Sequence, residues 1–163
     1  MKKLILTIAV GLACESAFAQ GTLNFANAAA GVNAPVVGAS GNQYQADLYY
    51  GPLGTTDSSL LTGLGQPSFF NAGAQSGYFT CGARTIPGIP GGTSIVVQVR
   101  AWYVQDPTFS GESRLFNITL ATPPATPVNL VGMQSFSIFI PEPTSIALWA
   151  LGAAALMSFR RRK

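Results

Sequence analysis

Histidine is absent from the 163-residue chain, and only 9% of its residues carry charge. Without imidazole there is no side chain that titrates near neutrality by default, no Ser-His-Asp triad, and none of the common zinc ligand sets. Cysteine is nearly as scarce, with Cys14 and Cys81 alone. Cys14 belongs to the N-terminal export segment, so Cys81 is left without an intramolecular disulfide partner. It either acts as a small buried hydrophobe, which Phe79 and Ala83 on the same strand face favour, or links two chains.

The scarcity of charge is sharper still once its distribution is considered. Of the nine cations, Lys2, Lys3, Arg160, Arg161, Arg162 and Lys163 sit at the two ends. Residues 20–140 keep Arg84, Arg100 and Arg114 against Asp47, Asp57, Asp106 and Glu112, three cations to four anions and a net charge of −1. The basic pI therefore belongs to the termini. A nucleic-acid partner is not expected, because it requires a clustered basic face and three scattered arginines do not make one.

The ends are rich in what the middle lacks. Met1-Lys2-Lys3 forms a charged start, Leu4 to Ala13 an apolar run of ten residues, and Ala17-Phe18-Ala19 the small-x-small pattern that signal peptidase cuts before Gln20. Residues 1–19 thus read as a helical signal peptide, and the protein as exported. Gly11-Leu12-Ala13-Cys14 faintly resembles a lipoprotein box, with a glycine where leucine is normally wanted. At the other end, Pro141-Glu142-Pro143 precedes an uncharged run from Thr144 to Phe159 and then Arg160-Arg161-Arg162-Lys163. As a helix the run spans about 24 Å, at ~1.5 Å per residue. That is short of a ~30 Å hydrocarbon core, so residues 144–159 make a marginal single transmembrane helix. The basic cluster 160–163 stops transfer and stays on the cytoplasmic side, leaving the preceding domain outside. A buried core helix is the other reading of such a run. The two prolines fix φ and push Glu142 to extended backbone, giving a stiff stalk of the shape a protease cleft binds.

Ile140-Pro-Glu-Pro-Thr-Ser-Ile-Ala-Leu, the alanine-rich run that begins at Trp149, and the RRRK terminus together closely resemble the PEP-CTERM sorting signal of Gram-negative bacteria. Tails of this kind are also labelled an ice-binding-protein C-terminal region, a name for the tail that implies no ice binding. The resemblance covers about 24 of the 163 residues. It implies recognition of Pro141, Glu142 and Pro143 by an exosortase, a membrane-embedded cysteine protease. The implied course is an intermediate anchored in the inner membrane, then cutting near the tripeptide and release or transfer to the cell surface or exterior, in an exopolysaccharide-producing envelope. A weaker resemblance to the exported domains found ahead of such tails runs from Gly77 to Trp102 and brings no activity with it.

The middle, residues 20–140, is poor in helix formers and rich in Gly, Thr, Ser, Asn and Pro, with apolar residues in short alternating bursts. About 120 residues suffice for one domain that buries roughly two-thirds of its unfolded surface. Strands are expected at 21–26, 44–50, 76–86, 94–104, 114–120 and 133–140. Tyr44, Ala46, Leu48 and Tyr50 share one face, with Gln45 and Asp47 on the other. Ile95, Val97, Val99, Ala101 and Tyr103 face the core, while Gln98, Arg100 and Trp102 face outward or beneath a loop. Phe116, Ile118 and Leu120 point inward from the next strand. The segment Pro87-Gly-Ile-Pro-Gly-Gly92 reads as a connection, and Thr122 to Pro127 cannot join a central ladder. Roughly seven strands suggest an all-β antiparallel β-sandwich of immunoglobulin-like or jelly-roll type.

No catalytic residue is assigned, and no metal or cofactor. Asp106 and Glu112 share the loop 105–112 and are the one pair that could approach each other, as glycosidase acids or around calcium, but such pairs are usually solvated turn residues. Trp102, Tyr49 and Phe109 are candidate stacking platforms for a glycan, with Trp102 the residue singled out. The alternative is that they cover the core or sit under a loop. Asn117-Ile118-Thr119 matches a glycosylation sequon by chance. The leading expectation is a non-enzymatic exported surface or extracellular-matrix protein whose partners are signal peptidase, an exosortase and the membrane, with exopolysaccharide a further candidate. The alternative is a carbohydrate-binding module or adhesin.

Overall fold

The computed structural model describes residues 20–139, and within them the chain is all-β apart from three single-turn 3-10 segments. The signal peptide at 1–19 and the tripeptide, apolar run and basic cluster within 140–163 lie outside the described residues. Among the described residues, no helix is long and apolar enough to cross a membrane.

Thirteen strands follow in order: β1 (Gln20–Ala26), β2 (Ala28–Ala29), β3 (Val32–Asn33), β4 (Val36–Val37), β5 (Tyr44–Pro52), β6 (Thr62–Gly63), β7 (Ser68–Phe69), β8 (Thr80–Pro90), β9 (Ser94–Tyr103), β10 (Ser110–Glu112), β11 (Phe116–Thr119), β12 (Val128–Asn129) and β13 (Phe136–Ser137). The larger sheet is centred on β5 and β9, antiparallel over nine pairs from Tyr44 opposite Tyr103 to Pro52 opposite Ile95. β9 is rich in β-branched and aromatic residues on both faces, and β5 places Tyr44, Ala46, Leu48 and Tyr50 at alternate positions, which suits a pleated surface covered on one side or both. Each outer edge of the pair is shared by two short strands. β10 and β11 lie along β9, and β6 and β7 along β5.

A side chain bridges each gap between these short strands. On the β9 flank, the Ser113 hydroxyl accepts from Val99 N at 3.0 Å, and Ser113 N donates to the Val99 carbonyl at 2.8 Å. On the β5 flank, the buried Asp47 carboxylate accepts from Leu48 N, Gly65 N and Gln66 N at 2.8, 2.9 and 3.3 Å. Backbone donors that the broken ladders would leave unpaired are thereby satisfied.

The smaller sheet has the order β12-β1-β8. Its Leu23, Phe25 and Ile86 meet Ala46, Leu48, Val97, Val99 and Ala101 of the larger sheet in a single hydrophobic core. Phe79 anchors one end of that core, 4.6 Å from Phe25 and 5.5 Å from Phe70 between ring centroids. The core faces read from alternation on β5, β9 and β11 are those observed, except that Asp47, Val96 and Gln98 are also buried. They lie on the opposite face, beneath the segments that cover it.

Several expectations are corrected. The 87–92 segment is no free connection: β8 runs on through Pro87 to Pro90, and the turn is confined to Gly91–Thr93, where Thr93 N reaches the Pro90 carbonyl. The prolines are tolerated because β8 is an edge strand. Ala83 does not share a buried face with Phe79. Two residues, Cys81 and Gly82, stand opposite Phe25 in a bulge, with Gly82 at φ 73°, and the alternation is reset there. Ala83 is consequently exposed, and Cys81 is half-buried, with Arg84 Nη2 donating to its sulfur at 2.6 Å. The last strand shrinks from 133–140 to β13, which pairs in parallel with β4. β12 also pairs in parallel with β1, so the sheets are not antiparallel throughout.

Asn27, fully buried just past β1, ties three segments together. Its Nδ2 donates to the Ala34 and Gly77 carbonyls at 2.9 and 2.8 Å, and its Oδ1 accepts from Phe79 N at 2.7 Å. Asn27→Ala strands the Ala34 carbonyl and the Phe79 N–H, while the Gly77 carbonyl still accepts from Val36 N, and is expected to cost about 3 kcal/mol, since each unsatisfied group costs ~1–3 kcal/mol. The partly buried pair Asn24–Asn129 provides the control. Urea unfolding should show a much larger midpoint shift for Asn27→Ala than for Asn24→Ala; equal shifts would contradict the bridging role.

Candidate functional site

The larger sheet presents its second face to an open groove of about 560 Å3, within the ~300–1,000 Å3 range of small-ligand sites. The register explains why its residues converge. Arg100 and Trp102 alternate on β9, Glu112 and Ser110 stand directly opposite them on β10, and Tyr49 lies on the neighbouring β5, opposite Gln98. Pro107 and Phe139 complete the wall. Phe139 arrives because its N–H donates to the Ser110 carbonyl at 3.1 Å. The backbone of Ser137 and Ile138 lies so close over Gly111 that a Cβ there would collide with the Ser137 carbonyl. Glycine at 111 is what lets the C-terminal segment cross β10.

Arg100 is the fixed point of the groove. Its Cζ sits 4.0 Å from the Tyr49 ring centroid, its Nε donates to Gln98 Oε1 at 2.9 Å, and its Nη2 donates to the Ser58 carbonyl at 2.5 Å. Glu112 Oε2 lies 3.5 Å from Nε, with the Glu112 side chain 54% exposed and that of Arg100 28%. An ion pair this exposed contributes at most ~1 kcal/mol. A fully buried core leucine such as Leu48 is worth ~2–5 kcal/mol by truncation. The pair thus serves the groove more than the fold.

The four acids are engaged separately. Asp47 is buried against the 65–66 backbone, Asp57 caps the Ser58–Leu60 turn through Ser59 N at 2.8 Å, and Asp106 accepts from Thr108 N and Oγ1 within its own loop. Glu112 faces Arg100. Asp106 and Glu112, which share the 105–112 loop, thus have different partners. Among the described residues no cluster of three or more Asp, Glu or Cys side chains could hold a metal ion.

Of the three aromatic candidates, Trp102 and Tyr49 line the groove together. Phe109 does not; it packs against the core with an edge-on contact to Tyr103 at 6.2 Å. Phe139, 75% exposed, is the aromatic that sequence reasoning missed. No protein-family model, no curated protein and no solved structure matches this chain. Of the targeting residues, Gln20 is described: it opens β1, half-buried and paired with Pro90. Ala17, Ala19, Pro141, Glu142, Pro143 and Arg160 to Lys163 lie outside the described residues.

Hydrogen bonds from the Ser59 side chain and then its backbone N–H hold the Asp57 carboxyl below its ordinary pKa. The folded state therefore gains from Asp57 ionisation above the usual carboxylate range near ~3.9, and the gain disappears as pH falls through the lowered value. NMR titration should place the Asp57 midpoint below 3.8, and Ser59→Ala should raise it. A midpoint insensitive to Ser59 would contradict this assignment.

Proposed function

We propose that this chain is an exported, non-enzymatic surface or extracellular-matrix protein, a β-sandwich passenger of immunoglobulin-like or jelly-roll type delivered by its two terminal segments. One observation carries the reading: Pro141-Glu142-Pro143, the apolar run 144–159 and the basic cluster 160–163 follow one another in the order and spacing of a sorting signal. Signal peptidase removes residues 1–19. The tail then holds the protein in the inner membrane until an exosortase acts at the tripeptide.

The described body supports this division of labour. Residues 20–139 contribute the two larger sheets and, among the described residues, the core between them. Two sheets sharing one core is the arrangement of a β-sandwich. The separate engagement of the four acids supports a role other than hydrolysis. The groove with Trp102 and Tyr49 favours a second reading, a carbohydrate-binding module or adhesin, which is compatible with the same delivery.

The delivery claim is tested by expressing the full chain in hosts with and without an exosortase and weighing the exported product. Loss of the tail only where the exosortase is present, abolished by replacing Pro141, Glu142 and Pro143 with alanine, is the expected result. Identical masses in both hosts, with the tail retained, would refute it.

A further inference from the structure

We propose that the groove over β9 and β10 is a binding site for a short stretch of neutral polysaccharide. The assignment deepens the carbohydrate-binding reading above and does not depend on how the protein is delivered.

The wall chemistry is two-sided. Trp102, Tyr49 and Phe139 contribute aromatic surface, while Arg100, Glu112 and Ser110 contribute donors and acceptors. A pyranose ring has the matching duality, an apolar C–H face and a rim of hydroxyls. Aromatic side chains offer large contact area at little conformational cost. Hydroxyls are both donors and acceptors, so one sugar can use a guanidinium and a carboxylate at once.

Charge selects the neutral class. Arg100 and Glu112 are each other's counter-ion, and among the described residues no other Lys, Arg, Asp or Glu lines the groove. An anionic ligand would have to compete with Glu112 for the guanidinium, whereas a hydroxyl can join the pair without displacing either member. Arg100 is also already fixed by the Ser58 carbonyl, Gln98 and the Tyr49 ring, so little rotamer freedom remains to be lost on binding. Its Nη1 makes no hydrogen bond among the described residues.

A peptide strand is the main competitor for a groove beside a short edge strand, and the backbone argues against it. Strand addition requires a free sheet edge. The outer side of β10 is occupied: Phe139 N–H already bonds the Ser110 carbonyl, and the Ser137–Ile138 backbone covers Gly111. What remains open to solvent is a side-chain surface, flanked by Phe139 at 75% exposure.

Calorimetry on the whole chain, held in a sugar-free zwitterionic detergent, would use cellohexaose, maltohexaose and xylohexaose as neutral probes and hexagalacturonate as the acidic one. At least one neutral hexasaccharide should bind, and Trp102→Ala should weaken it at least ten-fold. Because Trp102 is half-buried, Phe139→Ala gives a second variant at an exposed position, with a loss of three-fold or more expected and unfolding unchanged. Phe69→Ala, an exposed aromatic on β7 that does not line the groove, should bind as the parent does. Binding of none of the neutral probes would overturn the proposal, as would a preference for hexagalacturonate or affinity that survives both groove substitutions.

Discussion

The nine-pair ladder between Tyr44–Pro52 and Ser94–Tyr103 is the constraint on which the rest of the structure depends. Alternation along it sends Ala46, Leu48, Val97, Val99 and Ala101 into the core and leaves Tyr49, Arg100 and Trp102 on the opposite face. A register slip of one residue would exchange the two sets. The core and the groove are therefore two consequences of one pairing. The flanking strands are too short to specify themselves; Asp47 and Ser113 hold them in place by supplying hydrogen bonds where the ladders break.

The same economy fits the sparse charge of the body. With three cations and four anions among residues 20–140, electrostatics contributes little to the fold, and burial between two sheets contributes most. In the delivery we propose, the terminal segments hold the strongly cationic and the long apolar stretches, while the described core is built from residues 23–138. Phe139 is bonded to β10 and exposed in the groove two residues before Pro141, where the proposed sorting signal begins.

How much of this is legible in the sequence depends on length and alternation. The long strands β5 and β9 declare both their existence and their inward faces, because each carries an apolar side chain at every second position over seven or more residues, with Gln45 and Asp47 or Gln98 and Arg100 between them. Ser110-Gly111-Glu112 has no strand propensity of its own and becomes β10 only because β9 offers it an edge. The two-residue strands, and the parallel pairings of β12 and β13, are set by partners about a hundred residues away and leave no local trace. Gly82 is a bulge that a simple alternating pattern conceals, which is why Ala83 turns outward. At the site, the shared face of Arg100 and Trp102 follows from spacing. The Arg100–Glu112 contact and the arrival of Phe139 require tertiary register and do not.

The central claim is that the β-rich body stands by itself and the ends serve delivery. Thermal unfolding of a fragment spanning residues 20–139, followed by calorimetry and near-UV circular dichroism, tests it most directly. One cooperative transition is expected, with a midpoint close to that of the same residues in the full-length protein. A fragment that lacks tertiary signal, or that recovers it only when residues 140–163 are restored, would contradict the account.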